Sequence, residues 1–178
     1  GKMEFISQPD PVGYGHAILC ARQFLGDEPF LHLVGDHLFL NQTGDNVALR
    51  VIRTAQEQQC SVSGVQQTRE SLIGNFGTIA ADRYQGTSDL YRITRVVEKP
   101  SPSYAEHHLL VPGMRTGHYL CFFGVHVFTP ALLSLLEKQF QEAPGNRLGL
   151  SDSLQELART TKSLALESNA WRFDIGHD

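Results

Sequence analysis

The chain has 178 residues, of which 41% are hydrophobic and 19% charged, and a formal net charge of −4. That is long enough for one core of ordinary size and too apolar for disorder, and the acidic balance leaves no electrostatic footprint for nucleic acid. No apolar run is long enough to cross a bilayer, and the opening residues carry no signal-peptide pattern. Cys20, Cys60 and Cys121 are odd in number, widely spaced and without a C-x-x-C pair. They read as small buried hydrophobes in a reducing compartment, not as a disulfide framework or a zinc site. The expected setting is the cytoplasm, with neither a nucleic-acid nor a membrane partner.

Residues 3–7 are a short strand candidate leading into Gln8-Pro9-Asp10-Pro11-Val12-Gly13-Tyr14-Gly15-His16. Ala17, Ile18, Ala21 and Leu25 then follow helical spacing, until Gly26-Asp27-Glu28-Pro29 breaks it. The apolar run 30–34 reads as a buried strand. Residues 46–59 form an amphipathic helix, with Val47, Val51, Ile52 and Ala55 on one face. A strand at 61–65 completes a β-α-β-α-β order, which predicts a parallel sheet with right-handed crossovers.

Strands at 75–81 and 90–97, separated by a polar turn, predict a hairpin. Residues 104–117 have no clean period and read as irregular. Residues 118–128 are a strong strand. Thr129-Pro130 opens a helix as N-cap and first position, with Leu132, Leu133, Leu136 and Phe140 as its apolar stripe. Ser151-Asp152 caps another helix, and strands near 163–166 and 171–174 finish the chain. Residue by residue, Gln8, Gly13 and Asp174 also suit plain turns, Asp36 a strand-end loop, and Glu98-Lys99 a solvated pair. His16 reads as a packing or capping residue, and His107, His108 and His118 lack ligand spacing for zinc.

Taken in order, these stretches resemble the sugar-1-phosphate nucleotidyltransferases, most closely the bacterial UTP–glucose-1-phosphate uridylyltransferases. The resemblance is carried by Gly13-Tyr14-Gly15-His16-Ala17, Gly26-Asp27-Glu28-Pro29-Phe30 and Leu33-Val34-Gly35-Asp36. It continues through Val96-Val97-Glu98-Lys99-Pro100, Phe123-Gly124-Val125, Leu150-Ser151-Asp152 and Phe173-Asp174-Ile175-Gly176. It implies one α/β domain over 1–178, Rossmann-like (GT-A-like), with a mainly parallel sheet, flanking helices and a small β-hairpin insertion. It implies that Gln8 and Gly13 recognise the pyrimidine base and that Asp36 and Asp174 hold Mg2+. Glu98 would accept from the hexose hydroxyls, Lys99 would neutralise the sugar phosphate, and Gly124 would give a backbone contact to the sugar. Asp36, Lys99 and Asp174 are thereby the expected catalytic residues, for nucleotidyl transfer from UTP to glucose 1-phosphate.

Three departures qualify that implication. The family's N-terminal glycine-rich segment, with its arginine and lysine, is not among these residues, so the domain reads as truncated and inactive alone. Arg147 and Gly149 stand where the family carries glutamate and glutamine, and residues 116–120 lack its Ser-Asn-Leu pattern. A second reading is therefore a non-catalytic relative that binds a sugar nucleotide. An incomplete sheet would also attract a partner, so a homo-oligomer is expected.

Overall fold

The computed structural model describes residues 3–40 and 46–174; of residues 38–40, 171, 172 and 174 it describes the backbone alone. Two short helices, α1 (Tyr14–Cys20) and α2 (Arg22–Leu25), precede strands β1 (Phe30–Leu33) and β2 (His37–Leu40). Helix α3 (Val47–Gln58) leads to β3 (Ser61–Arg69), and a 3-10 turn (Glu70–Asn75) leads to the hairpin β4 (Gly77–Arg83) and β5 (Leu90–Glu98). Then come α4 (Pro102–His108), β6 (His118–Phe128), α5 (Pro130–Glu142), α6 (Leu150–Thr160), β7 (Ser163–Glu167) and β8 (Trp171–Asp174).

The main sheet has six strands in the order β1-β6-β3-β7-β5-β4, and β2 pairs with β8 in a separate two-stranded ladder. This corrects the expectation of a mainly parallel sheet. The one parallel ladder of the six is β3 with β7, and the other neighbours run antiparallel. The reason lies in β6. Strands β1 and β3 do share a direction, as a helical crossover between them requires. The long β6 lies between them and runs against both. Strand β4 also pairs with β6, and β5 with β7, so the hairpin is built into the main sheet. The pairings β6-β3-β7-β5-β4 and back to β6 close a circuit.

The core forms on both faces. Leu132, Leu133 and Leu136 of α5 and Leu154 and Leu157 of α6 pack with Ile79, Leu120 and Ala165 from the sheet. Val47, Val51 and Ala55 of α3 cover Val62, Phe123, Val125 and Leu164. A smaller cluster sets Ala105 and Leu109, at α4 and its end, against Ile73, Tyr119 and Cys121. Cys60 and Cys121 are buried, Cys20 is half-buried, and all three are free thiols.

Four local expectations change. Residues 3–7 are not a strand: no ladder holds them, and Met3 and Phe5 are 82% and 92% exposed. Strand β1 is an edge strand with Leu31 and Leu33 facing out, so its apolar run is not doubly buried. Part of the supposedly irregular stretch is helix α4, whose Ser101 side chain accepts from the Tyr104 amide with Pro102 behind it. Thr129 stands at the N-cap of α5 but does not cap it; its hydroxyl and amide both reach Ser61 Oγ on β3.

One buried polar pair crosses the sheet: His126 Nδ1 on β6 lies 2.8 Å from Ser63 Oγ on β3. Burial, with neighbouring His32 second, lowers the His126 pKa to about 3, and burial lowers His32 to about 4. Both values lie below the ordinary value near 6.5, so the unfolded chain binds protons that the folded chain refuses. Stability is full above pH 6.5 and falls on acidification until pH 4 for His32 and 3 for His126. Unfolding free energies from urea titrations between pH 7 and pH 4.5 are expected to fall, by at most about 1.4 kcal/mol per pH unit for each of the two histidines.

Candidate functional site

A cleft of about 430 Å³ opens where β1, β5, β6 and the start of α6 converge. That volume suits a small ligand. Its walls include Asp36, Glu98, Lys99 and Gly124, four residues from three separate stretches of sequence.

Asp36 follows β1 through Gly35 and stands just before β2. Its carboxylate is half exposed, with His37 Nε2 at 3.9 Å. Strand β8 is in register with β2, which sets the backbone of Asp174 opposite His37. The side chain of Asp174 lies outside the described residues.

Gly124 is placed by a bulge in β6. Ser63 of β3 is opposite His126 and Val65 is opposite Phe122, so Gly64 alone faces three residues of β6. The surplus is absorbed at Gly124, whose φ is +82° and whose carbonyl accepts from the Val34 amide at 3.0 Å. A Cβ there would lie 2.5 Å from His37 Nδ1. Glycine is required on both grounds, conformation and space.

Glu98 ends β5, and its Oε2 accepts from Ser151 Oγ at 2.5 Å. This reassigns Ser151: α6 begins at Leu150 with Gly149 as N-cap, so Ser151 lies in the first turn and turns its hydroxyl to Glu98. Gly77 makes room for the pair, since a Cβ on it would come 3.2 Å from Glu98 Oε2 and 2.8 Å from Phe122. Lys99 adopts a left-handed backbone, φ +45°, with its amide donated to Phe76 O at 3.1 Å. A non-glycine residue with positive φ is uncommon and clusters where function over-determines the backbone. The following proline, buried Pro100, disfavours the right-handed helical alternative. Lys99 makes no ion pair among the described residues.

Gln8 and Gly13 do not line this cleft. They form a loop clamped beside it: Gln8 Nε2 donates to Gly13 O at 3.0 Å and lies 3.1 Å from His16 Nδ1. The Leu148 amide donates to Val12 O, and Leu148 O accepts from the Gly15 amide, at 2.7 and 3.0 Å. Gly13 has φ +124°, and a Cβ on it would come within 2.4 Å of Leu148 O. His16 is a packing residue, stacked on Phe140 with ring centroids 4.9 Å apart. Tyr14, from this loop, does reach the cleft wall, as does Arg147 next to the clamp. Sequence reasoning passed over Tyr14, Gly77, Arg147 and Ser151 as cleft residues. The signal for Gly77 was its place at the mouth of a strand; Ser151 was legible only as a cap.

The sequence and the fold both have counterparts among known proteins. A family model described as nucleotidyl transferase matches residues 1–177. The chain belongs to the nucleotidyl transferase family. This nucleotidyl transferase domain is 33% identical over 175 residues to a UTP–glucose-1-phosphate uridylyltransferase of Bacillus subtilis (strain 168), covering 98% of the chain and 54% of that protein. A UTP–glucose-1-phosphate uridylyltransferase of Pseudomonas aeruginosa is 30% identical, with 97% and 57% covered. The chain thus spans about half the length of these curated relatives. In fold it matches UDP-glucose pyrophosphorylase complexed with UDP-glucose, at TM-score 0.76 and 23% identity, over 93% of the chain and 57% of that structure. UTP-bound UGPase from Acinetobacter baumannii matches at TM-score 0.75 and 24% identity, over 96% and 54%.

Among the described residues no three His, Cys, Asp or Glu side chains converge as a metal cluster, and no helix is long and apolar enough to cross a membrane. Two glycines, Gly124 in the cleft and Gly13 in the loop beside it, carry a prediction. Gly124→Ala and Gly13→Ala each force a side chain into a left-handed backbone and against a close neighbour. Each is expected to destabilise the fold by about 2 kcal/mol or more in urea denaturation.

Proposed function

We propose that this cleft is the sugar- and metal-binding part of a site that transfers a uridylyl group from UTP to glucose 1-phosphate, releasing pyrophosphate. The observation that carries the reading is the convergence of Asp36, Glu98, Lys99 and Gly124 in one cleft. The names of the relatives above supply the nucleotide and the sugar.

In such a reaction an oxygen of the sugar phosphate attacks the α-phosphorus of the triphosphate in line. The new phosphorus–oxygen bond forms as the α–β bridge breaks, and pyrophosphate leaves. Alignment and charge neutralisation carry most of the catalysis. Lys99 is the cation for the sugar phosphate, on the left-handed backbone that ends β5 at the cleft. Glu98, held by Ser151, accepts from hexose hydroxyls. Gly124 offers backbone where a side chain would fill the space.

Mg2+ fits the residues present. Asp36 is a hard oxygen donor, half exposed to the cleft, and the β2–β8 register brings a second aspartate's backbone alongside. Magnesium commonly keeps several waters and takes one or two carboxylates with substrate phosphates. When bound on Asp36 and Asp174 it supplies charge neutralisation at the phosphates. Gln8 and Gly13, one loop away, form the base-recognition end. For residues 1–178 by themselves the proposal is binding of the sugar nucleotide through these groups.

Titration calorimetry with UDP-glucose and Mg2+ tests this. The wild-type chain is expected to bind below millimolar concentration, with Asp36→Asn and Lys99→Met each weakening it at least about 10-fold, the loss of one charged contact. No heat of binding at millimolar UDP-glucose overturns the reading.

A further inference from the structure

Tyr14 stands on the cleft wall between the Gln8–Gly13 loop and Asp36, and nothing in the reading above uses it. Tyr14 is 46% exposed. Its hydroxyl lies 2.8 Å from His32 Nε2 on β1, with the two rings edge to face at 5.6 Å. It has no second hydrogen bond among the described residues.

The direction of that bond can be worked out. Burial lowers the His32 pKa to about 4, so at neutral pH the ring carries one proton. His32 Nδ1 is buried and has no hydrogen-bond partner among the described residues. If the proton sat on Nδ1, a buried N–H would be orphaned, which folded proteins rarely tolerate; a bare acceptor is the lesser cost. The proton therefore sits on Nε2 and is donated to the phenol oxygen. Tyr14 keeps its own O–H proton, which is then turned away from His32 and is free for an acceptor in the cleft that Tyr14 lines.

Asp36, Glu98 and Asp152 also line the cleft, and none of them takes a hydrogen bond from Tyr14 among the described residues. Burial first, and the charge of Asp36 second, raise the Tyr14 pKa, and no hydrogen bond joins Tyr14 to Asp36. Glu98 and Ser151 are engaged with each other on the β5–α6 wall. Tyr14 follows the base-recognition loop directly and neighbours the proposed metal carboxylate. A nucleotide laid from one to the other presents its phosphate oxygens to this wall. We propose that Tyr14, aimed by His32, donates its hydroxyl proton to a phosphate oxygen of the bound uridine nucleotide and so helps to set its position. This rests on the uridylyl-transfer reading of the cleft.

The test is calorimetry of the chain, wild type against Tyr14→Phe, with UDP-glucose and with UMP in the presence of Mg2+. The variant keeps the ring, so thermal stability is expected to be nearly unchanged. Affinity for both ligands is expected to fall about 10-fold, the cost of one hydrogen bond to a charged group. Affinities within twofold of wild type overturn the inference and leave the cleft assignment standing. A loss confined to UDP-glucose puts the phenol on the sugar and overturns the phosphate contact. No binding by the wild type overturns the cleft reading and this inference with it. As a check independent of the variant's folding, the Tyr14 ring carbon bearing the hydroxyl, labelled with 13C in the wild type, is expected to shift when UMP saturates the site. An unmoved resonance overturns the contact.

Discussion

The site depends on one backbone irregularity, the bulge in β6 that ends at Gly124. A regular β6 would continue its ladder with β3 and carry a side chain into the space now held by His37. With the bulge, the Gly124 carbonyl turns outward to the Val34 amide and fixes the end of β1. That bond determines where the chain leaves the sheet, and so where Asp36 and β2 begin. Phe122, on the other side of the bulge, stays in the sheet and forms the floor against Gly77. A glycine in a left-handed conformation thus sets the distance between the carboxylate on one wall and the Glu98–Ser151 pair on the other.

A second constraint holds the neighbouring loop. Three close approaches to the Leu148 backbone, through Val12, Gly13 and Gly15, weld residues 12–15 to the segment entering α6. The glycines are there for proximity as much as for conformation. The weld joins the first loop of the chain to the helix whose first turn carries Ser151. Movement at one end of the cleft is therefore felt at the other. Gln8 belongs to this same unit, because its amide donates within the loop and to His16.

Much of this was legible in the sequence where local rules dominate. Helix α3 has an apolar face of Val47, Val51 and Ala55 and an Asn46 cap, and its bounds follow directly. The hairpin followed from two β-rich runs and a polar turn. The ordered motifs pointed to the family, and through it to Asp36, Glu98, Lys99 and Gly124. Strand neighbours were not legible, because direction is set by the crossover but adjacency is set by which distant strand inserts. Strand β6 could not be placed between β1 and β3 from its own residues. Thr129 does stand at its N-cap with Pro130 next, but its hydroxyl goes to Ser61, and Ser151 is no cap at all, because a hydroxyl at a helix start has two uses and only a tertiary partner decides between them. The left-handed Lys99 left one trace, the proline after it. The bulge left none beyond a glycine in a strand.

The closed circuit of ladders has a consequence for motion. A strand inside it, such as β3 or β7, has partners on both sides, so opening it locally means breaking two ladders together. Amides along β3, β6 and β7 are thereby expected to exchange more slowly than those of a strand held on one side. Strand β1 stands outside the circuit, held by a four-residue ladder to β6 alone. Asp36, His32 and the Val34 tie hang from it. The wall with Glu98 and Gly124 thus belongs to strands of the circuit, and the wall with Asp36 is joined to it through one short ladder and the Val34 bond.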